Sequence, residues 1–299
     1  MTGWLVNDKL TCIPGTRTFW NHLLDTIPDL EDRCSGQFAG LADKIERDAA
    51  SERPDYIIRN AAYFRWLNVD CPVISLVQDV MDGEYRELLL ESCAASSLVV
   101  FNSEYTEMAY PELRTTPHCV IPIGTDTNVF RPVEPYPRIP RWAVLWIGSG
   151  HRVKGFDLAC YLASESKRPW VFIMKDDTPV YVDAMVFRSI PQSQVASIAS
   201  ACSVGVCTSL YETQHLAGIE MGFCGLPLVT TEVGCYYDRK PGAWGKVVDG
   251  NWQEEIETVS LLSREDVVSY WTDQNFGLER CMSTWRDTVE NLGASHVVR

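Results

Sequence analysis

Two carboxylates stand eight positions apart in Ser209-Leu210-Tyr211-Glu212-Thr213-Gln214-His215-Leu216-Ala217-Gly218-Ile219-Glu220. The apolar spacing that follows predicts a helix over Leu216 to Phe223, with Glu212 just before it and Glu220 inside it. The first amides of a helix and its dipole form an anion site, and Glu212 stands where those amides begin. Glu220, read as about two turns into the helix, is placed to accept hydrogen bonds from sugar hydroxyls. A capping carboxylate followed by a solvated helix carboxylate fits the same spacing. Metal chemistry finds no obvious ligands: there is no Asp-x-Asp, and the histidines at 22, 118, 151, 215 and 296 lack paired spacing. No divalent metal is expected, and neutralising an anion falls to lysine, arginine and helix dipole.

The elements that must position these residues alternate between strand and helix. Gly3 to Val6, Pro54 to Ile58, Pro72 to Val77, Ser97 to Phe101 and Cys119 to Pro122 read as short buried strands, with helices around Phe19, Trp20, Leu23 and Leu24 and from Gln37 to Ser51. Residues 131–141 hold four prolines and no period, and read as a linker. Alternation then restarts: strands at Trp142 to Ile147, Trp170 to Met174, Val204 to Cys207 and Leu226 to Thr230, helices at Phe156 to Ser164, Gln194 to Ala201 and Leu216 to Phe223, and a helical tail from Arg264 to Leu292. Continuous apolar runs fit parallel strands covered on both faces. The expected fold class is α/β, two Rossmann-like doubly wound parallel-sheet domains facing a central cleft, with ligands at the carboxyl ends of the strands. The expected domains are 1–135, 141–265 and a helical tail, 266–299.

Composition narrows the partners. The chain has 299 residues, 46% of them hydrophobic, enough to bury a full core and too many for a disordered chain. No apolar stretch approaches the ~20 residues of a spanning helix, and the opening residues lack a secretory signal, so a soluble, cytoplasmic protein is expected. Eleven cysteines without a Cys-x-x-Cys pair read as buried thiols of a reducing compartment. The net charge is −14, and both the first 140 residues (12 basic, 21 acidic) and the remainder (14 basic, 19 acidic) are acidic. Neither half has the basic excess that nucleic-acid or anionic-lipid binding requires.

Three segments carry a family resemblance. Glu212, seven residues, Glu220 and then Gly225-Leu226-Pro227-Leu228-Val229-Thr230 resemble the two-glutamate signature of glycosyltransferase family 4, retaining nucleotide-sugar-dependent enzymes of the GT-B fold. Ile121-Pro122-Ile123-Gly124-Thr125-Asp126, leading to Phe130 and Pro132, resembles a second signature of that family. Val144-Leu145-Trp146-Ile147-Gly148 followed by Lys154-Gly155 resembles its Gly-Arg-loop-Lys-Gly segment. The match covers roughly residues 98–250.

The resemblance implies that Glu220 holds the donor ribose and that Glu212 lies near the donor sugar or its phosphate. It further implies that the amides of Thr213, Gln214, His215 and Leu216 cradle that end, and that Lys154 neutralises the diphosphate. A fixed cation there would stabilise the charge that develops on the leaving group; an ordinary exposed lysine after a turn is the alternative. The sequence departs from the family in four places. Ser149 replaces its arginine, with Arg152, ahead of His151, the candidate replacement. His215 stands where the family has glycine, as a sugar contact or a packed histidine. Gln78-Asp79 replaces His-Asp; Gln78 can bond a sugar hydroxyl but cannot titrate, and Asp79 can equally cap the next turn. The amino-terminal glycine-rich loop is reduced to Pro14-Gly15-Thr16-Arg17, so that Gly15 and Thr16 face donor phosphate or form a plain strand-to-helix turn.

The function expected is transfer of a hexose-type sugar from a UDP-, GDP- or ADP-sugar to a hydroxyl of a saccharide, small metabolite or protein, a modified nucleic acid ranking lower. The first domain would bind acceptor and the second donor, and the terminal helices would cross back to the first domain, as the resemblance implies. The rivals are a GT-B nucleotide-sugar epimerase or hydrolase, a non-catalytic sugar-nucleotide-binding protein, and a dehydrogenase built on Gly148-Ser149-Gly150 with Asp176 or Asp177 as ribose acid. The dehydrogenase lacks the third glycine of its fingerprint.

Overall fold

The computed structural model describes residues 1–6, 14–33, 40–61 and 65–296, with the backbone alone for 14–17 and 293–296. Cys12, Cys34 and the start of the helix expected from Gln37 lie outside the described residues. The chain divides into two compact units, Met1–Gly124 with Glu279–Arg299, and Thr125–Leu278.

In the first unit the strands are β1 (Gly3–Val6), β2 (Leu30–Asp32), β3 (Tyr56–Asn60), β4 (Val73–Val77), β5 (Leu98–Phe101) and β6 (His118–Val120). Its helices are α1 (Pro14–Thr26), α2 (Leu41–Glu52), α3 (Gly83–Ala94) and α4 (Glu104–Met108). The sheet is parallel throughout, in the order β2-β1-β3-β4-β5-β6. The order reverses between β1 and β3, as in flavodoxin-like sheets.

The second unit holds β7 (Val144–Gly148), β8 (Trp170–Met174), β9 (Met185–Arg188), β10 (Val204–Cys207), β11 (Leu228–Thr230) and β12 (Gly245–Val247). Between and after them come α5 (Phe156–Glu165), α6 (Gln192–Ala201), α7 (Leu216–Phe223), α8 (Trp252–Val259) and α9 (Arg264–Asp273). Its sheet, also parallel, runs β12-β11-β10-β7-β8-β9. Read from the β9 edge this is the third, second, first, fourth, fifth and sixth strand, the dinucleotide-binding order, with its switch point between β7 and β10. Strands β3, β4, β8 and β10 are buried at every position, which is why β4, β8 and β10 read as near-continuous apolar runs rather than alternating ones, while β3 ends on the buried polar pair Arg59 and Asn60.

Two segments differ from the sequence expectation. Residues 131–141 do not hang free as a linker but pack on the second unit. Ile139 lies in its core, Val133 and Tyr136 pack against it, and the Tyr136 N–H donates to the Ser197 carbonyl at 3.0 Å. Proline excludes helix and ladder, and a turn through Pro137 and Arg138 (φ 82°), closed by the Ile139 N–H donating to the Tyr136 carbonyl at 3.5 Å, returns Ile139 to the second unit. The tail is not one helix. It breaks at residues 274–277, where the Thr125 N–H donates to the Phe276 carbonyl and the Leu278 N–H to the Thr125 carbonyl, both at 2.8 Å. Helix α9 before the break puts Trp271 into the second unit's core. After it, α10 (Leu278–His296) belongs to the first unit, with Trp285 against Phe19 at 6.2 Å between ring centroids. The nine described cysteines are free thiols. Among the described residues no helix is long and apolar enough to cross a membrane.

Candidate active site in the second unit

The switch point gathers three loops. Strand β7 ends at Gly148, and the chain turns through Arg152–Lys154 into Gly155, which caps α5 with φ +64°. A Cβ on Gly155 would stand 1.9 Å from the Thr208 carbonyl oxygen, so both φ and space require glycine. Thr208, fully buried just beyond β10, fastens this turn. Its Oγ1 accepts from Trp146 Nε1 at 2.9 Å and donates to the carbonyls of Lys154 and Gly155 at 3.0 and 2.9 Å. The Leu210 N–H donates to the Val153 carbonyl at 2.8 Å, a second tie between the loops. After β8, the Asp176 carboxylate accepts from the Gly150 N–H at 2.9 Å and the Thr178 N–H at 3.0 Å. The Thr178 side chain, these amides and Arg188 hold its pKa below the usual range. Asp176 is thereby committed to holding the Gly148–Gly150 loop, which leaves Asp177 as the ribose acid of the dehydrogenase alternative.

Lys154 and Glu212 meet here. Lys154 Nζ lies 2.5 Å from Glu212 Oε1, and Ser209 Oγ donates to the same oxygen at 2.9 Å. Burial pushes the Glu212 carboxyl up, but the imidazole, the ammonium and the hydrogen bonds from Lys154 and Ser209 outweigh it and keep the pKa low. Glu212 is therefore an anion whose Oε1 is engaged twice; it does not cap the helix. Arg152, on the same turn as Lys154, is exposed and has no ion-pair partner among the described residues.

Helix α7 begins where expected, and His215 is its N-cap in the left-handed region, φ 67° and ψ 64°. His215 Nδ1 accepts from the Gly218 N–H at 3.0 Å. Burial holds its pKa below the usual imidazole range, so near pH 7 the ring is neutral and the pull on Glu212 comes from Lys154. Thr213 is half-buried and Gln214 only 2% exposed, its carbonyl accepting from the Cys235 N–H at 3.3 Å. The Leu216 and Ala217 amides in the first turn have no hydrogen-bond partner among the described residues. Glu220 is the fifth residue of α7, one turn in rather than two, because the helix starts at Leu216 and not at Glu212. Its carboxyl is half-buried and takes no hydrogen bond or ion pair among the described residues. Burial pushes its pKa up to about 7, against the pull of the Lys175 ammonium.

The remaining candidates lie in the first unit. Gln78, just past β4, is 6% exposed, and its Nε2 has no hydrogen-bond partner among the described residues. Asp79 beside it is pushed up by burial and is not the cap of the next helix: Asp82 is the N-cap of α3. Gly15 and Thr16 stand in the first turn of α1 behind Pro14, so this segment is a helix start and not a loop; their side chains lie outside the described residues. Sequence reasoning passed over Thr208, Trp146 and Ser209. Ser209 was open to notice as the hydroxyl three residues before Glu212, whereas Thr208 and Trp146 act through contacts 54 and 62 positions apart. Among the described residues no group of three His, Cys, Asp or Glu is placed to hold a metal ion.

No protein-family model matches the chain, and no curated protein matches it. Solved structures do. Anabaena Alr3699/HepE in complex with UDP is 14% identical with a TM-score of 0.75, over 97% of this chain and 100% of that one. Sucrose-phosphate synthase from Thermosynechococcus elongatus is 15% identical with a TM-score of 0.72, over 99% and 100%. The lipopolysaccharide outer core galactosyltransferase WaaB, in its apo form, is 10% identical with a TM-score of 0.74, over 97% and 99%. HepE is also solved with UDP-glucose. These neighbours are GT-B glycosyltransferases, and the two six-stranded parallel sheets with flanking helices are the GT-B pair of Rossmann-like domains.

Proposed function

We propose that this protein is a retaining glycosyltransferase of the family 4 kind, moving a hexose-type sugar from a UDP-, GDP- or ADP-sugar to a hydroxyl acceptor. The observation that carries it is a fixed ammonium, Lys154, held at 2.5 Å by Glu212 at the switch point of a dinucleotide-ordered sheet, with the unpartnered Glu220 carboxylate on the helix that follows. A lysine and the first amides of a helix suit a diphosphate, and a half-buried carboxylate without a partner suits ribose hydroxyls. The complexes of HepE with UDP and UDP-glucose support the same donor chemistry.

The chemistry follows from what each group can do. As the bond between the anomeric carbon and the diphosphate oxygen breaks, negative charge grows on that oxygen. Lys154, with two N–H donors not engaged by Glu212, stabilises it, and Arg152 adds net positive charge at the mouth. No covalent nucleophile is assigned, and same-face attack is the reading the family resemblance implies. Attack on the same face then forms the bond to the acceptor oxygen while the acceptor proton passes to the departing diphosphate oxygen. Gln78 in the first unit would bond a hydroxyl of the substrates. A saccharide, small metabolite or protein hydroxyl is the acceptor that fits the acidic chain.

A thermal-shift screen against NAD, nucleoside diphosphates and nucleotide sugars tests this, since a ligand at 100 times its Kd stabilises by about 2.7 kcal/mol. Stabilisation by one nucleoside diphosphate and its sugar, followed by acceptor-dependent transfer that EDTA does not slow, is expected. Conversion of the sugar nucleotide without acceptor would make the protein an epimerase or hydrolase. Binding without turnover would make it a binding protein, and stabilisation by NAD alone a dehydrogenase.

A further inference from the structure

Arg264 stands where helix electrostatics disfavour a cation. It is the first residue of α9, just behind the N-cap Ser263, at the positive end of the helix dipole. Its half-buried side chain has no carboxylate partner among the described residues, and its hydrogen bonds go instead to main-chain carbonyls of two other helices. Nη1 donates to the Cys202 carbonyl at 2.6 Å and Nη2 to the Ala199 carbonyl at 3.1 Å, both at the end of α6. Nη2 also donates to the Cys224 carbonyl at 3.1 Å, at the end of α7. These are the negative ends of both helices, so one guanidinium meets their unsatisfied carbonyls and their partial charge together.

Cys202 and Cys224 bracket the part of the chain that holds β10, the loop with Thr208, Ser209 and Glu212, and α7 with Glu220. Strand β10 is also fixed by its pairing with β7 and β11, so the end that depends most on Arg264 is that of α7. There the Leu226 N–H donates to the Met221 carbonyl at 3.0 Å and the Gly225 N–H to the Gly222 carbonyl at 2.9 Å, a closed helix end with Gly225 at φ +76°. Cys224 takes no part in those two bonds. Its N–H donates to the Glu220 carbonyl at 3.2 Å and its carbonyl accepts from Arg264, so a single residue joins the guanidinium to Glu220. Glu220 lies in this last turn, and holding its carboxyl half-buried without a partner costs free energy that only a fixed turn can offset. We propose that Arg264 is a positioning residue for donor binding, acting through Cys224 to hold Glu220 where a nucleotide's ribose would meet it. This rests on the glycosyltransferase proposal above.

The experiment compares wild type with Arg264→Met, Arg264→Lys and Arg168→Met, at a temperature where circular dichroism shows all four folded. Methionine keeps an apolar stem and removes every donor; lysine keeps the charge at one point and cannot span two helix ends. Arg168 is the control, an arginine of the same unit that donates to the Trp142 carbonyl and to Ser203 Oγ, both at 2.9 Å, and makes no hydrogen bond to α7 among the described residues. The probe is whichever of UDP, GDP and ADP binds wild type. Its Kd is expected to rise about tenfold in Arg264→Met and by less in Arg264→Lys. Carbon-13 titration should place the Glu220 carboxyl at about 7 in wild type and nearer 4.5 in Arg264→Met, where the loosened turn lets water reach it. Arg168→Met should lower Tm and leave both the Kd and the titration unchanged. A folded Arg264→Met with wild-type Kd, a Glu220 titration that does not move, or an equal loss of affinity in Arg168→Met overturns the inference alone. A wild type that binds none of the three nucleotides overturns both proposals.

Discussion

The Lys154 ammonium has three N–H donors and uses one on Glu212, 2.5 Å away. Replacing it with alanine leaves Glu212 half-buried without its cation and removes the charge that meets the leaving diphosphate. Lys154→Ala is expected to lower kcat by roughly 10²–10³, as loss of a single transition-state donor does elsewhere, while circular dichroism stays native. Glu220 makes a different prediction. Its carboxyl has a pKa of about 7 in the fold against 4.5 in an unfolded chain. Between those values the folded state binds the extra proton, so stability falls as pH rises through the window and stays lower above it. Glu220→Gln should therefore raise Tm at pH 8, by on the order of 2 kcal/mol of stability, and leave Tm at pH 4 unchanged. Ribose hydroxyls favour the charged carboxylate, so nucleotide affinity should strengthen across pH 7 in wild type and not in Glu220→Gln, as titration calorimetry at pH 6 and 8 would read. Glu212 and Glu220 stood out by residue type and spacing, Lys154 only through the family resemblance. The state of each was not legible: that Glu212 is ion-paired and Glu220 unpartnered depends on neighbours such as Ser209 and Lys175, which no local pattern specifies.

At the scale of elements, the turn from β7 into α5 is the part that must not move. Thr208 Oγ1 joins Trp146 to the carbonyls of Lys154 and Gly155. Thr208→Val keeps the shape and removes the hydroxyl, leaving buried polar groups unsatisfied at roughly 1–3 kcal/mol; Tm and kcat/KM should fall together. Gly155→Ala drives a methyl into the Thr208 carbonyl and should lower both further. Buried strands and the helix Leu216–Phe223 were readable because packing on both faces, or on one stripe, prints a period on the sequence. Edge strands β2, β9 and β12 were not: they span three or four residues, with one buried position each in β2 and β12 and none in β9. Helix α3 escaped for another reason. Its three leucines, Leu88, Leu89 and Leu90, are consecutive, so they mark no single face, and of the three only Leu89 is buried.

For the molecule as a whole, two parallel sheets could be inferred from the sequence, but strand order could not, because pairing of β7 with both β8 and β10 joins segments far apart in the chain. The return of α10 to the first unit was likewise outside what composition and periodicity specify, and entered only through the family resemblance. Trp285 is fully buried on α10. Trp285→Ala should destabilise the first unit by about 3–5 kcal/mol, and hydrogen exchange should show amides of β1 and β3–β5 opening sooner while those of β7, β8 and β10 keep their protection. Donor binding is the claim on which the account turns. Isothermal titration of UDP, GDP and ADP into wild type and Glu220→Ala tests it most directly. Binding of one nucleotide to wild type, weakened at least tenfold in a folded Glu220→Ala, is predicted; equal affinity in the two proteins, or no binding of any nucleotide to wild type, would contradict it.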